Sequence, residues 1–447
     1  MSIRLTRMDA EQFRAVTRER ELEGFGGPLL DAATAQRLGD VFGRTVTPRE
    51  GVREIIADVR ARGDAALREW TRRIDGMDVE FPHVEVGALA RAWDDLDHAV
   101  RNALTAAAQR LREFHALQVD VLDRGAGGAW LHPVPLSRAG CYVPGGRAAY
   151  PSTVLMSVIP AQVAGVERIA VTSPPSPSGG VHPLVAAAAH LLGVTEVVAA
   201  GGAQAIAALA YGTETIDRVD KVVGPGNAFV TLAKHEVFGD VGIDQLAGPS
   251  EILVIASSGA EPDLVVADLV SQLEHDPLAW AVCLTDDAAL ARSIESQFAD
   301  VAGAAARSEI IGMAAGRHAA VVQCASLDEG LALAARFAPE HLSLQGAAAE
   351  HLRDRVKNAG AIFVGPMSPV SIGDYVAGPN HTLPTQGAAR YRGPLSVMDF
   401  VRWPSVVDLS DAEFDALAPI AITLAEAEGL HAHEAAIKAR MRVRERA

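Results

Sequence analysis

Gln272 and His275 stand three positions apart at the end of the apolar-rich segment DLVVADLVSQLEHDP. Residues i and i+3 share one face of a helix, so an amide oxygen and an imidazole there can aim at one point. Two donors do not complete a metal site, and candidates for the remainder lie in three later segments. FAPEHLSL, 337–344, sets Glu340 beside His341, a pair of proton-transfer groups with reference pKa values of about 4.3 and 6.5. Neighbours inside a helix or strand point apart, so these two share a site only at a loop or strand end, which Pro339 favours. IGDYVAGPNHTLPT, 372–385, is a long Gly- and Pro-shaped stretch carrying Asp374, Asn380 and His381, in which Asp374 reads as a metal ligand or as an Asx turn. AEAEGLHAHEAA, 425–436, places Glu428 and His433 around Gly429, a pattern that also fits a solvated helix surface. One Gln, one Asp and two His suit a divalent cation such as zinc. Neither H-E-x-x-H nor a paired C-x-x-C occurs, so spacing alone does not make them converge.

Three glycine-rich segments, VPGGRAAYPS at 143–152, AAGGAQAIA at 199–207 and VVGPGNAFV at 222–230, fall where loops after strands are expected. Such loops bind ligands in open α/β sheets, and exposed N–H groups ahead of a helix suit a phosphate or pyrophosphate. None is G-x-G-x-x-G, since Phe229 stands where a third glycine would fall, and ordinary βα turns remain an alternative. Cys141, beside the first loop, is the tempting thiol nucleophile for an aldehyde. With no activating partner in view, it reads as a small packing residue.

These segments need a scaffold to bring them together. RIAVTSP, EVVAAGG and KVVGPG alternate with HPLVAAAAHLLG, AQAIAALAYG and NAFVTLAKHEVFG, which implies βαβ units on a mainly parallel sheet. A second series runs through ILVIASS, WAVCLTDD, HAAVVQC and GAIFVGP. The expected fold is α/β, with two doubly wound, incomplete Rossmann-like parallel-sheet domains hinged near LAGPSE, 246–251, plus small helical N- and C-terminal segments. The expected division is an N-terminal helical segment at 1–30; a main α/β domain of 31–138 with 250–394, carrying most of the metal and catalytic site; a second α/β domain at 139–249; and a C-terminal helical segment at 395–447. The amphipathic helices before residue 120 are expected to pack on the second unit.

The chain has 447 residues, of which 49% are hydrophobic and 21% charged, enough for more than one core. Three widely spaced cysteines exclude a disulfide scaffold and suit a reducing compartment. The first residues lack the basic and apolar regions of a secretion signal, so a cytoplasmic location is expected. A net charge of −16 argues against nucleic acid or an anionic membrane as partner.

The motifs CYVPGGRAAYPSTVLM, GGAQAIAALAYGT, DKVVGPGN, LAGPSE, SQLEH, APEHL, GDYVAGPNHTLPT, LSVMDF and AEAEGLHAH follow one another across roughly residues 30 to 440. In these, and in their order, the chain resembles the histidinol dehydrogenase family. The resemblance implies a zinc-dependent, NAD-linked four-electron oxidation of L-histidinol to L-histidine through bound L-histidinal, the last step of histidine biosynthesis. It implies one zinc per subunit, held by Gln272, His275, Asp374 and His433, the last donated by the partner in a homodimer whose C-terminal segment crosses over. His341 matches the general base, and Glu340 the group that activates water for the second oxidation. Ser250, His381 and Glu428 match positions at the substrate, together with the metal ligands and His341. Tyr142, Gln204 and Asn227 match NAD contacts, with 139–249 as the NAD-binding domain. Gln386 departs from the glycine that often follows LPT in the family, which is expected to touch only a connecting loop. Two rival readings are a zinc hydrolase using Glu340 as base and a non-catalytic protein closing on a ligand at the 246–251 hinge.

Overall fold

The computed structural model describes residues 3–23, 38–79, 82–120, 124–126, 128–145, 149–177 and 179–444. Both β-branched series form parallel sheets. In the first, strands Arg138–Tyr142, Arg168–Ser173, Glu196–Ala199, Lys221–Val223 and Gly242–Ile243 lie in spatial order third, second, first, fourth, fifth. In the second, Glu251–Ala256, Trp280–Thr285, Ala319–Gln323, His341–Gln345 and Ala361–Val364 repeat that order. In each sheet the order reverses beside the first strand, at the switch point where a crevice opens between neighbouring connections. Every residue of Arg138–Tyr142 and of Glu251–Ala256 is buried, as expected for parallel strands covered on both faces.

The N-terminal segment opens with a strand, which the helical expectation for 1–30 missed. Thr6–Asp9 extends the edge of the second sheet, pairing in parallel with Ala319–Gln323. Helix Ala10–Glu23 then packs through Phe13, stacked on Phe337 with ring centroids 5.7 Å apart. The expected boundary at residue 30 lies outside the described residues.

Helix Ala10–Glu23 packs on the second unit as expected, but the helices at 48–119 bury their apolar faces against the first. Helices Pro48–Arg62 and Asp64–Asp75 bury Val52, Ile55, Val59, Leu67 and Trp70 in one core with Ile206, Leu209, Val222 and Val230, on one face of the first sheet. Helices Val86–Asp94 and His98–Val119 cover the opposite face, where Leu89, Leu104 and Leu111 share a core with Val154, Val171 and Val185. The sheet's own helices are alanine-rich, as in PLVAAAAHL and GAQAIAALAY, and their small side chains leave apolar surface for a further helical layer. Thr47 opens that layer with a capping box closed by Glu50.

The C-terminal segment also departs from the all-helical expectation for 395–447. Leu395, Val397 and Phe400 enter the core of the first unit. The valine-rich stretch that follows pairs as strands, Val401–Arg402 with Val134–Pro135 and Ser405–Val407 with Ala129–Leu131. Helices Asp411–Ala427 and His431–Arg444 come after it, and the second buries none of its residues.

Candidate active site

A cavity of about 1880 Å³ lies between the two sheets. One wall is the carboxyl edge of the first sheet, with Tyr142 and Asn227. The other is the amino edge of the second, with Ser250, Glu251, Glu340 and His341. The first wall is where a doubly wound sheet is expected to bind a ligand; the second is the end that rule does not point to.

At the first wall, strands one and four diverge. Gly224 follows Lys221–Val223 at φ +109, and a Cβ there would run into the Tyr142 carbonyl oxygen, so only glycine fits. Its peptide is held from both sides: its N–H donates to Asp244 Oδ2 at 2.7 Å, and its C=O accepts from Lys234 Nζ at 2.9 Å. Asn227 caps helix Ala228–Val237, its Oδ1 accepting the N–H groups of Phe229 and Val230 at 3.1 and 3.2 Å, which leaves its amide NH2 toward solvent or ligand. The Tyr142 hydroxyl accepts the Gly202 N–H at 3.2 Å. Gln204 does not line the cavity. It is fully buried behind the wall, where its Nε2 donates to Asp75 Oδ2 at 3.3 Å, and Asp75 is the group that faces the cavity. Cys141 is buried, and burial pushes its thiol pKa up, as suits a packing residue.

At the second wall, helix Pro262–Leu273 runs back from the carboxyl end of strand Glu251–Ala256 to its amino end. The helix closes with Glu274 at its C-cap, and the His275 N–H donates to the Gln272 C=O at 3.3 Å. Gln272 sits in the last turn and His275 just beyond it, and both line the cavity. His275 is exposed where it lines the cavity, and desolvation by the protein packed around it lowers its imidazole pKa. Asp374, in the short helix Val370–Tyr375, lines the same space, and burial raises its carboxyl pKa to about 6. His381 fastens that helix. Its Nδ1–H donates to the Asp374 C=O at 2.8 Å, so its Nε2 accepts from Thr153 Oγ1 at 3.3 Å, across from the first unit.

Ala338, at φ +52, swings the chain into strand His341–Gln345, so Glu340 and His341 fall at a strand start. His341 Nδ1–H donates to the Glu251 C=O at 2.9 Å. Its Nε2 is buried without a partner and lies 3.8 Å from Asp374 Oδ1. Burial lowers the imidazole pKa to about 4, so the ring is neutral at pH 7 with the Nε2 lone pair available. Glu340 Oε2 accepts the Glu251 N–H at 2.8 Å and lies 3.5 Å from His341 Nδ1. Burial holds the Glu340 carboxyl well above the usual carboxylate range.

One chain therefore gathers Tyr142, Asn227, Ser250, Gln272, His275, Glu340, His341, Asp374 and His381 around one cavity. Glu428 and His433 stand exposed on the C-terminal helices and are not part of its lining. Among the described residues no group of three His, Cys, Asp or Glu side chains is gathered for a metal. Of the expected ligands, one chain brings only His275 and Asp374 of those types to the cavity, with the Gln272 amide beside them. This donor set fits a cation: an amide oxygen, an imidazole and a half-buried carboxylate with which, among the described residues, no lysine or arginine pairs. Arg20, Asp75 and Glu251 also line the cavity and were missed by sequence reasoning, Glu251 despite belonging to LAGPSE.

Comparison with known proteins gives the same assignment from several directions. The histidinol dehydrogenase family model matches residues 44–441. A histidinol dehydrogenase of Parasynechococcus marenigrum is 49% identical over 391 residues, covering 87% of this chain and 90% of the relative. One of Caulobacter vibrioides is 44% identical over 433 residues, covering 93% and 98%. The crystal structure of histidinol dehydrogenase from Elizabethkingia anophelis superimposes with a TM-score of 0.85 at 33% identity, over 90% of this chain and 94% of that one. The chain belongs to the histidinol dehydrogenase family.

Proposed function

We propose that this chain oxidises L-histidinol to L-histidine through L-histidinal kept in one site, passing two hydrides to NAD, as the last step of histidine biosynthesis. The observation that carries this reading is the neutral His341 Nε2, without a hydrogen-bond partner and 3.8 Å from Asp374 Oδ1, on the cavity wall that also carries Gln272 and His275. His341 is suited to take the carbinol proton as the first hydride leaves. Its Nδ1–H bond to Glu251 fixes the tautomer that leaves Nε2 as acceptor. Glu340, with its raised pKa, is suited to take a proton from water as it adds to the aldehyde, and His341 then takes the gem-diol proton as the second hydride leaves. The balance is one alcohol, one water and two NAD giving one carboxylate, two NADH and three protons.

Gln272, His275 and Asp374 would hold zinc together with His433 of the partner subunit. When bound, the metal supplies a Lewis-acid centre that orients the substrate's imidazole and amino nitrogens. Ser250 and His381 stand where they can bound the substrate, and Glu428, also from the second copy, carries a carboxylate suited to its ammonium group. Tyr142 and Asn227 are proposed to meet NAD directly, with Gln204 behind them. A homodimer is favoured by unpartnered apolar surface on both sides of the proposed contact. Leu417, Ile420 and Leu424 form an exposed stripe at helical spacing on Asp411–Ala427, and Ile372 and Tyr375 are exposed around Asp374.

Incubating the purified protein with limiting L-histidinol and excess NAD tests the reading. It requires about two NADH per histidinol consumed. Absence of histidinol-dependent NADH contradicts it and leaves the hydrolase or binding-protein alternatives.

A further inference from the structure

Arg20 lies on helix Ala10–Glu23, ahead of residue 44 where the family match begins, yet its guanidinium reaches the catalytic wall. It pairs with the buried Glu251 carboxylate, the two side chains being 12% and 1% exposed. It also donates to the Phe337 C=O at 2.8 Å and lies 3.8 Å from the centroid of the Phe337 ring. Phe337 begins the FAPEH turn that delivers Glu340 and His341.

Glu251 spends every polar atom on this arrangement. Oε1 accepts from Arg20 and from the Gln386 N–H at 2.9 Å. Oε2 accepts the Glu340 N–H at 3.2 Å, while the Glu251 N–H donates to Glu340 Oε2 at 2.8 Å, a reciprocal pair. The Glu251 C=O accepts His341 Nδ1–H. One residue thus holds both proton-transfer groups, and the Arg20 cation beside its carboxyl counters the burial that raises that carboxyl's pKa.

We propose that Arg20 and Glu251 form a positioning pair that sets the orientation of Glu340 and His341 for proton transfer. This rests on the dehydrogenase reading above. A buried ion pair adds little net stability, because desolvation offsets the attraction, so fold stability alone is a weak account of it. Misplacing proton-transfer groups by about 1 Å costs on the order of 100-fold in rate.

Full-length, zinc-loaded enzyme carrying Glu251→Gln, Arg20→Met or both tests this, with kcat, KM for histidinol, bound zinc and Tm measured for each. The expected result is a loss of kcat of about 10- to 100-fold in all three, with KM and zinc content changed less than about 2-fold. Tm falls in Arg20→Met, which strands a buried carboxylate, and recovers in the double variant while kcat stays low. A kcat that is unchanged in Glu251→Gln, or that recovers together with Tm in the double variant, overturns the proposal and leaves the dehydrogenase reading intact. A wild-type enzyme without histidinol-dependent NADH overturns both.

Discussion

His341 donates Nδ1–H to the main-chain oxygen of Glu251 at 2.9 Å, which leaves the opposite ring nitrogen bare and buried on the cavity side. His341→Asn keeps a donor close to Nδ1 but removes the basic Nε2. We expect kcat to fall by about 100- to 10,000-fold with zinc content retained. Steady-state NADH formation and metal analysis on the same preparation check this; a loss under about 5-fold would remove His341 from proton transfer.

Glu340→Gln separates the two oxidations. Activation of water belongs only to the second, so the rate of NADH formation from added L-histidinal should fall further than the first-turnover burst from L-histidinol. Stopped-flow traces with each substrate read this, and equal slowing of both would contradict the role assigned to Glu340.

His318 supplies a pH-dependent element of stability. Its ring stacks on Trp280 with centroids 4.2 Å apart, and burial lowers its pKa to about 4. The folded pKa lies below the ordinary 6.5, so the unfolded chain binds the proton first and stability is lost as pH falls from about 6.5 toward 4. Above 6.5 the group has no effect. His318→Phe keeps the stack and should flatten Tm against pH in that window; an unchanged slope would mean that His318 is not the titrating group.

Gln386 adopts φ +53, a left-handed region that glycine enters freely, and its N–H donates to Glu251 Oε1. This residue therefore touches the catalytic wall, where only a connecting loop was expected. Gln386→Gly should stay within about 1 kcal/mol of wild type, relief of strain offsetting the freer unfolded chain. Gln386→Val should destabilise by about 1–2 kcal/mol or more, because a β-branched side chain resists this backbone. Denaturant melts distinguish the two, and equal effects would show that backbone strain is not the determinant.

Much of the site was legible because local rules position its parts. The i, i+3 spacing brought Gln272 and His275 to one wall, and Pro339 marked the strand start that lets Glu340 and His341 share a space. The β-branched runs marked both parallel sheets. Long-range choices were not legible. Arg20 and Glu251 are 231 residues apart, and nothing in TRMD announces an edge strand. Amphipathic helices at 48–119 reveal which face is buried, not which sheet buries it. Gln204 was expected at the cofactor, but burial puts Asp75 between it and the cavity.

Whether His433 serves the neighbouring copy is settled most directly by subunit complementation. Co-expressing Asp374→Ala with His433→Ala chains, each inactive alone, yields mixed dimers. If the ligand crosses over, one site of each mixed dimer has both residues intact, and random pairing restores about a quarter of wild-type activity. If His433 serves its own chain, every site lacks one ligand, and activity no higher than that of the separate variants would contradict the shared metal site.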